Sequence, residues 1–391
     1  METSHLIDWD SQDNEVLFNP RIPFEERRTL LNAIHGIDSP QAHVWIATSG
    51  SSGNLKWTLL SKKAILESAR AVNRHLLSTS SDVWFNVLPH FHVGGLGVIA
   101  RGLLSNAKVI HLNSTHWHPE AFVAELTHSK ATLTSLVPTQ IFDLVFHHLN
   151  APRDLRAVIV GGGTLSESLY EKALCLGWKL LPSYGLTECA SQVATASLDS
   201  WEGGVFPSLT PLDHVKLMLD EQGYLKIESP SLLTAYANVV QSSCVLTDPK
   251  SMGWFKTEDK PIIDNQKIVK IQRAGSFVKI GGESVDLLRL EKILEEIKLA
   301  LKISCDVALI AREDARLGHM IHLAVASSGS ASIHALVEDF NQKVLPFERI
   351  RQTHHLSKIP RSPLQKVLRQ ELLAEIDHFH NRNNSKFYRT C

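Results

Sequence analysis

A run of small, hydroxyl-bearing residues that ends in a lysine is the first segment with an obvious chemical use. It directly follows the apolar run Val44–Ala47, which indicates a buried strand. The backbone N–H groups of such a loop can wrap an anionic phosphate chain, and the lysine adds a positive charge. A solvated linker would have a similar composition, so the segment alone leaves its function open. The residues of this candidate phosphate loop are Thr48, Ser49, Gly50, Ser51, Ser52, Gly53, Asn54, Leu55 and Lys56.

A second segment, Ser183–Glu188, places an aromatic ring, a hydroxyl and a carboxylate close together after the apolar run Trp178–Leu181. Tyr184 could stack on a base, Thr187 could hydrogen-bond a phosphate, and Glu188 could hold Mg²⁺. A third segment, Gly253–Asp259, ends in an aspartate whose two carboxylate oxygens could accept hydrogen bonds from both ribose hydroxyls. A turn that caps a buried strand is the alternative interpretation of the second segment.

These segments, in this order, resemble the phosphate loop, the Y-G-x-T-E motif and the G-W-x-x-T-G-D motif of the ANL superfamily of adenylate-forming enzymes. The resemblance extends from about Val44 to the C-terminus. It implies a reaction in which ATP and a carboxylate give an acyl-adenylate and pyrophosphate, after which the thiol of coenzyme A displaces AMP. The implied cofactors are therefore ATP and Mg²⁺, with coenzyme A as co-substrate. Further matching residues are Gly161, Gly162, Gly163, Arg273, Gly281, Gly282, Glu283 and Pro360–Lys366.

The resemblance also implies roles for individual residues. Lys366 would bridge the carboxylate and the α-phosphate during adenylation only, and Thr187 and Glu188 would act at the phosphates and the metal. Asp259 and Arg273 would hold the ribose. The remaining nucleotide-binding residues would be Thr48–Gly53, Lys56, Gly162, Gly163, Ser183, Tyr184 and Gly185, and Gly281 and Gly282 would lie near the coenzyme A channel.

Three stretches resemble the o-succinylbenzoate-CoA ligases of menaquinone biosynthesis within that superfamily. They are Leu88–Gly95, Ala131–Gln140 and Tyr184–Ser191. The first two are expected to line the acyl pocket, with His92 against the substrate. A core histidine that is satisfied by a backbone carbonyl is the alternative for His92.

The chain departs from the superfamily pattern at several positions. The phosphate loop begins at residue 48, so most of the usual N-terminal subdomain is expected to be missing. Leu55 replaces a proline, Glu258 and Gln365 replace glycines, and Gly275 replaces the hinge aspartate of the R-x-D motif. These changes leave two alternatives open: a ligase for another aryl or acyl acid, including one that uses a carrier-protein thiol, and a non-catalytic nucleotide-binding relative.

The elements that must position these residues follow an α/β pattern. Strand-like runs are predicted at Val44–Ala47, Val83–Leu88, Lys108–Leu112, Leu133–Val137 and Ala157–Val160, with helices between them at Lys62–Leu77, Pro119–His128, Pro138–Leu149 and Ser166–Leu176. A hairpin is predicted around Asp220–Gly223. The expected architecture is a layered, N-terminally shortened large domain over residues 1–272 and a small, mobile α+β domain over 273–391 that carries the adenylation lysine. Its predicted elements are the helices Leu287–Ile297 and Ser332–Val344, the strands Val307–Ala311 and Ile321–Ala326, and a last helix from about Gln365.

Composition favours small-molecule chemistry. Forty basic and 41 acidic side chains give a net charge of −1, without a basic block for nucleic acid or a charged membrane surface. The five cysteines form no C-x-x-C pair, and the 20 histidines show no H-E-x-x-H spacing. No apolar run approaches the ~20 residues of a membrane helix. We therefore expect a cytoplasmic monomer or homodimer that binds a carboxylic acid, ATP and coenzyme A.

Overall fold

The computed structural model describes residues 7–20, 22–35, 37, 39–49, 55–112, 117–240, 243–273, 277–280, 283–314, 317–326 and 331–387. The chain divides into two compact units, Met1–Gln272 and Arg273–Cys391. Each unit has its own buried apolar core. Within the described part of the chain, no helix is both long and apolar enough to cross a membrane.

The first unit alternates strands with helices and then continues in short strands. Its described helices are α1 (Phe24–His35), α2 (Lys62–Leu76), α3 (Val93–Ser105), α4 (Pro119–His128), α5 (Pro138–Phe146) and α6 (Glu167–Cys175). Its described strands are β1 (Glu15–Leu17), β2 (His43–Ser49), β3 (Leu55–Ser61), β4 (Val83–Asn86), β5 (Lys108–His111), β6 (Leu133–Leu136), β7 (Ala157–Val160), β8 (Leu180–Leu186), β9 (Ser191–Thr195), β10 (Thr210–Pro211), β11 (Lys216–Leu219), β12 (Leu225–Glu228), β13 (Ala235–Val240), β14 (Ser243–Thr247), β15 (Lys250–Ser251), β16 (Trp254–Lys256), β17 (Asp259–Asp264) and β18 (Lys267–Arg273).

A seven-stranded sheet in the order β10-β9-β8-β7-β6-β4-β5 forms the centre of this unit. The five strands β4, β5, β6, β7 and β8 run parallel to one another. β9 pairs antiparallel with β8, and β10 pairs antiparallel with β9. All four residues of β6 and of β7 are buried, as expected for parallel strands that helices cover on both faces. Since the strands are parallel, the carboxyl ends of β4, β6, β7 and β8 share one edge, where α/β sheets bind ligands.

A five-stranded sheet in the order β1-β2-β3-β13-β14 contains the candidate phosphate loop. β2 and β3 form an antiparallel pair in which Thr48 lies opposite Lys56 and Ser49 lies opposite Leu55. Both ends of the predicted loop are therefore strand residues, and residues 50–54 between them lie outside the described residues. β13 pairs with the other side of β3.

Two serine caps explain where the helices α2 and α6 begin. The Ser61 hydroxyl accepts a hydrogen bond from the Ala64 N–H at 3.0 Å, and the Ser166 hydroxyl accepts one from the Leu169 N–H at 3.2 Å. The predicted helix Pro119–His128 and the predicted strand Ala157–Val160 are confirmed to the residue. The predicted hairpin is confirmed as β11 paired antiparallel with β12.

The structure corrects the sequence prediction at two places in this unit. The segment Val93–Ser105, which has the glycine pair Gly94–Gly95 near its start, forms the buried helix α3. Gly95 permits its start, because a Cβ there would lie 2.4 Å from the carbonyl oxygens of Leu88 and Pro89. The apolar run Trp178–Leu181, which indicated a strand before the second motif, belongs only in part to β8 (Leu180–Leu186), so Ser183, Tyr184 and Gly185 lie within the strand rather than after it.

The second unit contains two sheets with helices. The hairpin β19 (Phe277–Ile280) and β20 (Glu283–Asp286) precedes α7 (Leu287–Ala300). Next come the strands β21 (Asp306–Asp314) and β22 (Gly318–Ala326), the helix α8 (Ala331–Lys343) and the strand β23 (Ile350–His355). The three strands form a sheet in the order β21-β22-β23. The predicted last helix, α9 (Arg369–Phe387), begins at Arg369 rather than near Gln365, because the preceding residues form a turn closed by a bridge between Arg361 and Val367.

Candidate active site

A tight corner between β8 and β9 presents the glutamate of the second motif. β8 ends at Leu186, a single 3₁₀ turn spans Thr187–Cys189, and the chain then enters β9. Ala190 and Ser191 have φ values of 54° and 132°, which side-chain-bearing residues rarely adopt. A Cβ at Gly185 would lie 2.0 Å from the Ser191 carbonyl oxygen, so this packing requires glycine. The corner therefore fixes the backbone from which Glu188 projects.

The structure brings Tyr184 and Asp259 together, although they are separated by 75 positions in the sequence. The Tyr184 hydroxyl donates a hydrogen bond of 2.7 Å to Asp259 Oδ2. Burial, and then the charge of Asp259, raise the pKa of Tyr184, so the phenol remains a donor at neutral pH. The Asp259 N–H in turn donates to the Thr257 hydroxyl at 3.1 Å. Asp259 is thus held from its backbone and from its side chain.

Glu188 is held in a similar way by a second tyrosine. The Tyr236 hydroxyl on β13 donates to Glu188 Oε1 at 2.8 Å, and the Leu233 N–H donates to the Glu188 carbonyl oxygen at 2.7 Å. Among the described residues, Oε2 of Glu188 has no hydrogen-bond partner. A magnesium ion in proteins is commonly held by one or two carboxylates together with substrate phosphates. The arrangement therefore fits Glu188 as a ligand to Mg²⁺.

A glycine turn after β7 lies beside the carboxyl end of β8. Gly162 has a φ of 79°, which favours glycine, and a Cβ there would come within 3.3 Å of Val137 at the end of β6. The Ser183 hydroxyl donates to the Val160 carbonyl oxygen at 3.1 Å. A Cβ at Gly163 would meet the ring of Pro138, the first residue of α5, at 3.4 Å. The predicted residues Gly162, Gly163 and Ser183 are therefore brought to one edge of the parallel sheet.

Sequence reasoning missed Arg101, a fully buried arginine in α3 that is 2% exposed. Its Nη1 lies 3.5 Å from the Ser135 hydroxyl and its Nη2 lies 3.3 Å from the Ser191 hydroxyl. Its guanidinium carbon lies 5.5 Å from the centroid of the Trp84 ring. Burial lowers the pKa of Arg101 to about 9, which leaves the group cationic at neutral pH.

Arg101 forms no ion pair with a carboxylate among the described residues, and its Nε is buried without a partner there. A buried charge is normally paired, because its desolvation is costly. Ser135 and Ser191 belong to two of the three stretches that resemble the o-succinylbenzoate-CoA ligases, and Arg101 follows the other one, Leu88–Gly95, along α3. The signal in the sequence was a single charged residue within the apolar run Val93–Leu104.

His92 occupies the N-cap position of α3. Its ring lies 4.8 Å from the ring of Phe91, and its carbonyl oxygen accepts the Leu96 N–H at 2.9 Å. The side chain makes no capping hydrogen bond to the helix. The role of His92 against the substrate stays a prediction.

The remaining predicted site residues lie outside the described residues, are described only by their backbone, or belong to the second unit. Gly50–Gly53, Gly281 and Gly282 lie outside the described residues. Thr48, Ser49, Lys56 and Arg273 are described only as strand backbone. Lys366 lies in the second unit, in the turn before α9, with an exposed side chain. Its backbone N–H donates to the Ser362 hydroxyl at 3.1 Å, and its carbonyl oxygen accepts the Ser362 N–H at 2.8 Å.

Comparison with known protein families gives a match to the model described as AMP-binding enzyme, over residues 7–231. Among curated proteins, the 2-succinylbenzoate–CoA ligase of Bacillus cytotoxicus is 23% identical over 345 residues, covering 85% of this chain and 70% of the relative. The enzyme of the same name from Enterococcus faecalis is 22% identical over 341 residues, covering 84% of this chain and 68% of the relative.

Solved structures have the same fold. The o-succinylbenzoate CoA synthetase (MenE) of Bacillus subtilis, in complex with the acyl-adenylate intermediate OSB-AMP, superposes with a TM-score of 0.70 at 21% identity. The alignment covers 84% of this chain and 68% of that chain. The anthranilate CoA ligase AuaEII, in complex with anthranoyl-AMP, gives a TM-score of 0.69 at 17% identity and covers 85% of this chain and 67% of that one. These likenesses establish the adenylate-forming fold.

The geometry around Asp259 predicts the effect of removing its carboxylate. Asp259→Ala is expected to weaken nucleotide binding by roughly 1.5–3 kcal/mol for each charge-assisted hydrogen bond lost, which is about tenfold or more in Kd. Isothermal titration calorimetry with AMP measures this effect directly.

Asp264→Ala is the matched control, because Asp264 is an exposed aspartate at the far end of the same strand, β17. Its nucleotide affinity should equal that of the wild type. Equal affinities for both variants would remove Asp259 from the nucleotide site.

Proposed function

Because the chain belongs to the AMP-binding enzyme family, we propose that it joins o-succinylbenzoate to coenzyme A through an acyl-adenylate. In the first step a carboxylate oxygen of the acid attacks the α-phosphorus of ATP, and pyrophosphate leaves. In the second step the thiol of coenzyme A attacks the acyl carbon, loses its proton, and displaces AMP to form the thioester. The names of the relatives and the three stretches around Arg101 support this choice of acid.

The first step brings two anions together, so the site must neutralise the phosphates and align the reacting atoms. Mg²⁺ would supply part of this neutralisation, and Glu188 would hold it through Oε2. The Asp259 carboxylate would accept hydrogen bonds from the ribose hydroxyls and fix the nucleotide. The resemblance assigns Lys366 to the carboxylate and the α-phosphate in this step. Each of these residues contributes charge or position rather than a covalent bond.

The buried guanidinium of Arg101 is the observation that carries the choice of substrate. o-Succinylbenzoate has two carboxylates, of which one is activated and the other remains an anion in the acyl pocket. An arginine presents five N–H donors and binds a carboxylate through two parallel hydrogen bonds. The two serine hydroxyls near Arg101 use only part of this capacity. The second carboxylate of the acid would accept hydrogen bonds from the remaining N–H donors of Arg101 and would offset the free-energy cost of burying its charge.

A comparison of acids tests this proposal. With ATP, Mg²⁺ and coenzyme A, o-succinylbenzoate is expected to give AMP, pyrophosphate and a thioester whose mass identifies it by mass spectrometry. Benzoate and medium-chain fatty acids, which have no second carboxylate, should react far more slowly. Faster turnover of either monocarboxylate would contradict the substrate assignment and would favour a ligase for another acid.

Replacement of Arg101 separates a substrate-binding role from a structural role. Arg101→Met is expected to lower kcat/KM for o-succinylbenzoate by about tenfold to 100-fold, the effect of losing charge-assisted hydrogen bonds. AMP affinity should be unchanged. The melting temperature should stay the same or rise, because the variant no longer buries a charge without an acidic partner.

Arg74→Met provides the control, since Arg74 is an exposed arginine whose pair with Asp213 lies on the surface. It should change neither kcat/KM nor stability appreciably. Loss of stability in Arg101→Met without a change in kcat/KM would assign Arg101 to the core alone.

A further inference from the structure

We propose that Tyr236 is a positioning residue for Glu188 and that its hydroxyl determines which carboxylate oxygen faces the bound divalent cation. The inference rests on the proposed function, because it assumes that Glu188 binds the cation that accompanies ATP. Tyr236 lies on β13, outside the motifs that the sequence suggested. It is 9% exposed, and its hydroxyl donates to Glu188 Oε1 at 2.8 Å.

Tyr236 remains a hydrogen-bond donor at neutral pH. A phenol carries its proton at neutral pH, since its usual pKa is about 10, and a carboxylate only accepts hydrogen bonds. The Tyr236 hydroxyl is therefore the donor in its contact with Glu188. The hydrogen bond therefore occupies Oε1, and Oε2 is the oxygen that has no partner among the described residues.

The same short segment holds both the backbone and the side chain of Glu188. The Leu233 N–H donates to the Glu188 carbonyl oxygen at 2.7 Å, and Tyr236 follows three residues later. The Thr234 N–H donates to the Leu59 carbonyl oxygen of β3 at 2.8 Å, and Tyr236 lies opposite Thr58. Leu233, just before β13, thus holds the backbone of Glu188, and Tyr236, on β13, holds its side chain. The segment that contains both residues is itself hydrogen-bonded to β3. This leaves little freedom for the carboxylate to rotate.

A fixed carboxylate suits a cation that is bound by few protein groups. Mg²⁺ requires near-ideal octahedral geometry and usually takes one or two carboxylates together with phosphates and waters. Groups that orient a metal ligand without touching the metal typically change metal affinity by about tenfold to 100-fold when they are removed. Tyr236 is in the position of such a group, because it hydrogen-bonds Oε1 of Glu188 and leaves Oε2 available to bind the cation.

The chain supplies a matched control for the loss of a buried tyrosine hydroxyl. Tyr170 on α6 is fully buried, and its hydroxyl has no hydrogen-bond partner among the described residues. Tyr170→Phe and Tyr236→Phe therefore remove the same atom from buried positions of the same unit. Only the second variant removes a hydrogen bond to Glu188.

The test measures cation binding apart from turnover. Binding of Mn²⁺ to the enzyme with a non-hydrolysable ATP analogue is followed by electron paramagnetic resonance. Tyr236→Phe is expected to weaken this binding by about tenfold, as for other residues that orient a metal ligand. It should also raise the Mg²⁺ concentration for half-maximal pyrophosphate release. AMP affinity in EDTA should be unchanged, and Tyr170→Phe should match the wild type throughout.

A double-mutant cycle distinguishes positioning from a general loss of stability. In a Glu188→Ala background, Tyr236→Phe is expected to cause no further loss of Mn²⁺ binding, since the oxygen that it orients is absent. An equal loss in both backgrounds, or equal Mn²⁺ affinities for Tyr236→Phe and Tyr170→Phe, would overturn the inference. A wild type that binds Mn²⁺ with the analogue but releases no pyrophosphate with any acid would contradict the proposed function instead.

Discussion

Two hydrogen bonds to carboxylates, one from the half-buried Tyr184 and one from the buried Tyr236, hold the candidate site together. Tyr184 donates to Asp259 and Tyr236 donates to Glu188, at 2.7 and 2.8 Å. They join β8 and the corner after it to β17 and to β13, strands that belong to three different sheets. Hydrogen bonds to charged groups contribute about 1.5–3 kcal/mol each, so the two bonds are significant for the stability of the first unit as well as for its function. Both carboxylates are oriented before a ligand arrives, which lowers the cost of organising the site during the reaction.

In contrast to these two carboxylates, which tyrosine hydroxyls satisfy, Arg101 is a buried charge for which the described part of the chain supplies no acidic partner. Its nearest hydroxyls, on Ser135 and Ser191, lie at distances typical of weak hydrogen bonds. A buried cation of this kind costs stability in the free protein, and an anionic substrate would recover that cost on binding. In the proposed function, the two tyrosine–carboxylate pairs would orient groups toward the nucleotide, and Arg101 would select an acid with a second carboxylate.

The sequence predicted those elements whose signals are local. A continuous apolar run identified β7, and the predicted helices at Lys62–Leu77 and Ser166–Leu176 begin at or directly after the serines that cap α2 and α6, because both signals depend on neighbouring residues. α3 was missed, since glycines at its start argue against a helix, and their packing against Leu88 and Pro89 becomes visible only in three dimensions. The Tyr236–Glu188 contact spans 48 positions and leaves no periodic pattern. The roles of Lys56, Arg273 and Lys366 came from the family resemblance, and they remain predictions.

In the proposed function the chain activates its acid as an adenylate before coenzyme A reacts. Exchange of labelled pyrophosphate into ATP, measured without coenzyme A, tests this order of steps most directly. Exchange is expected to require both o-succinylbenzoate and Mg²⁺ and to fall by about 100-fold or more in Lys366→Ala, the scale expected when one preorganised charge stabiliser is removed. Exchange that proceeds without the acid, or no exchange in the presence of acid and Mg²⁺, would contradict this order of steps.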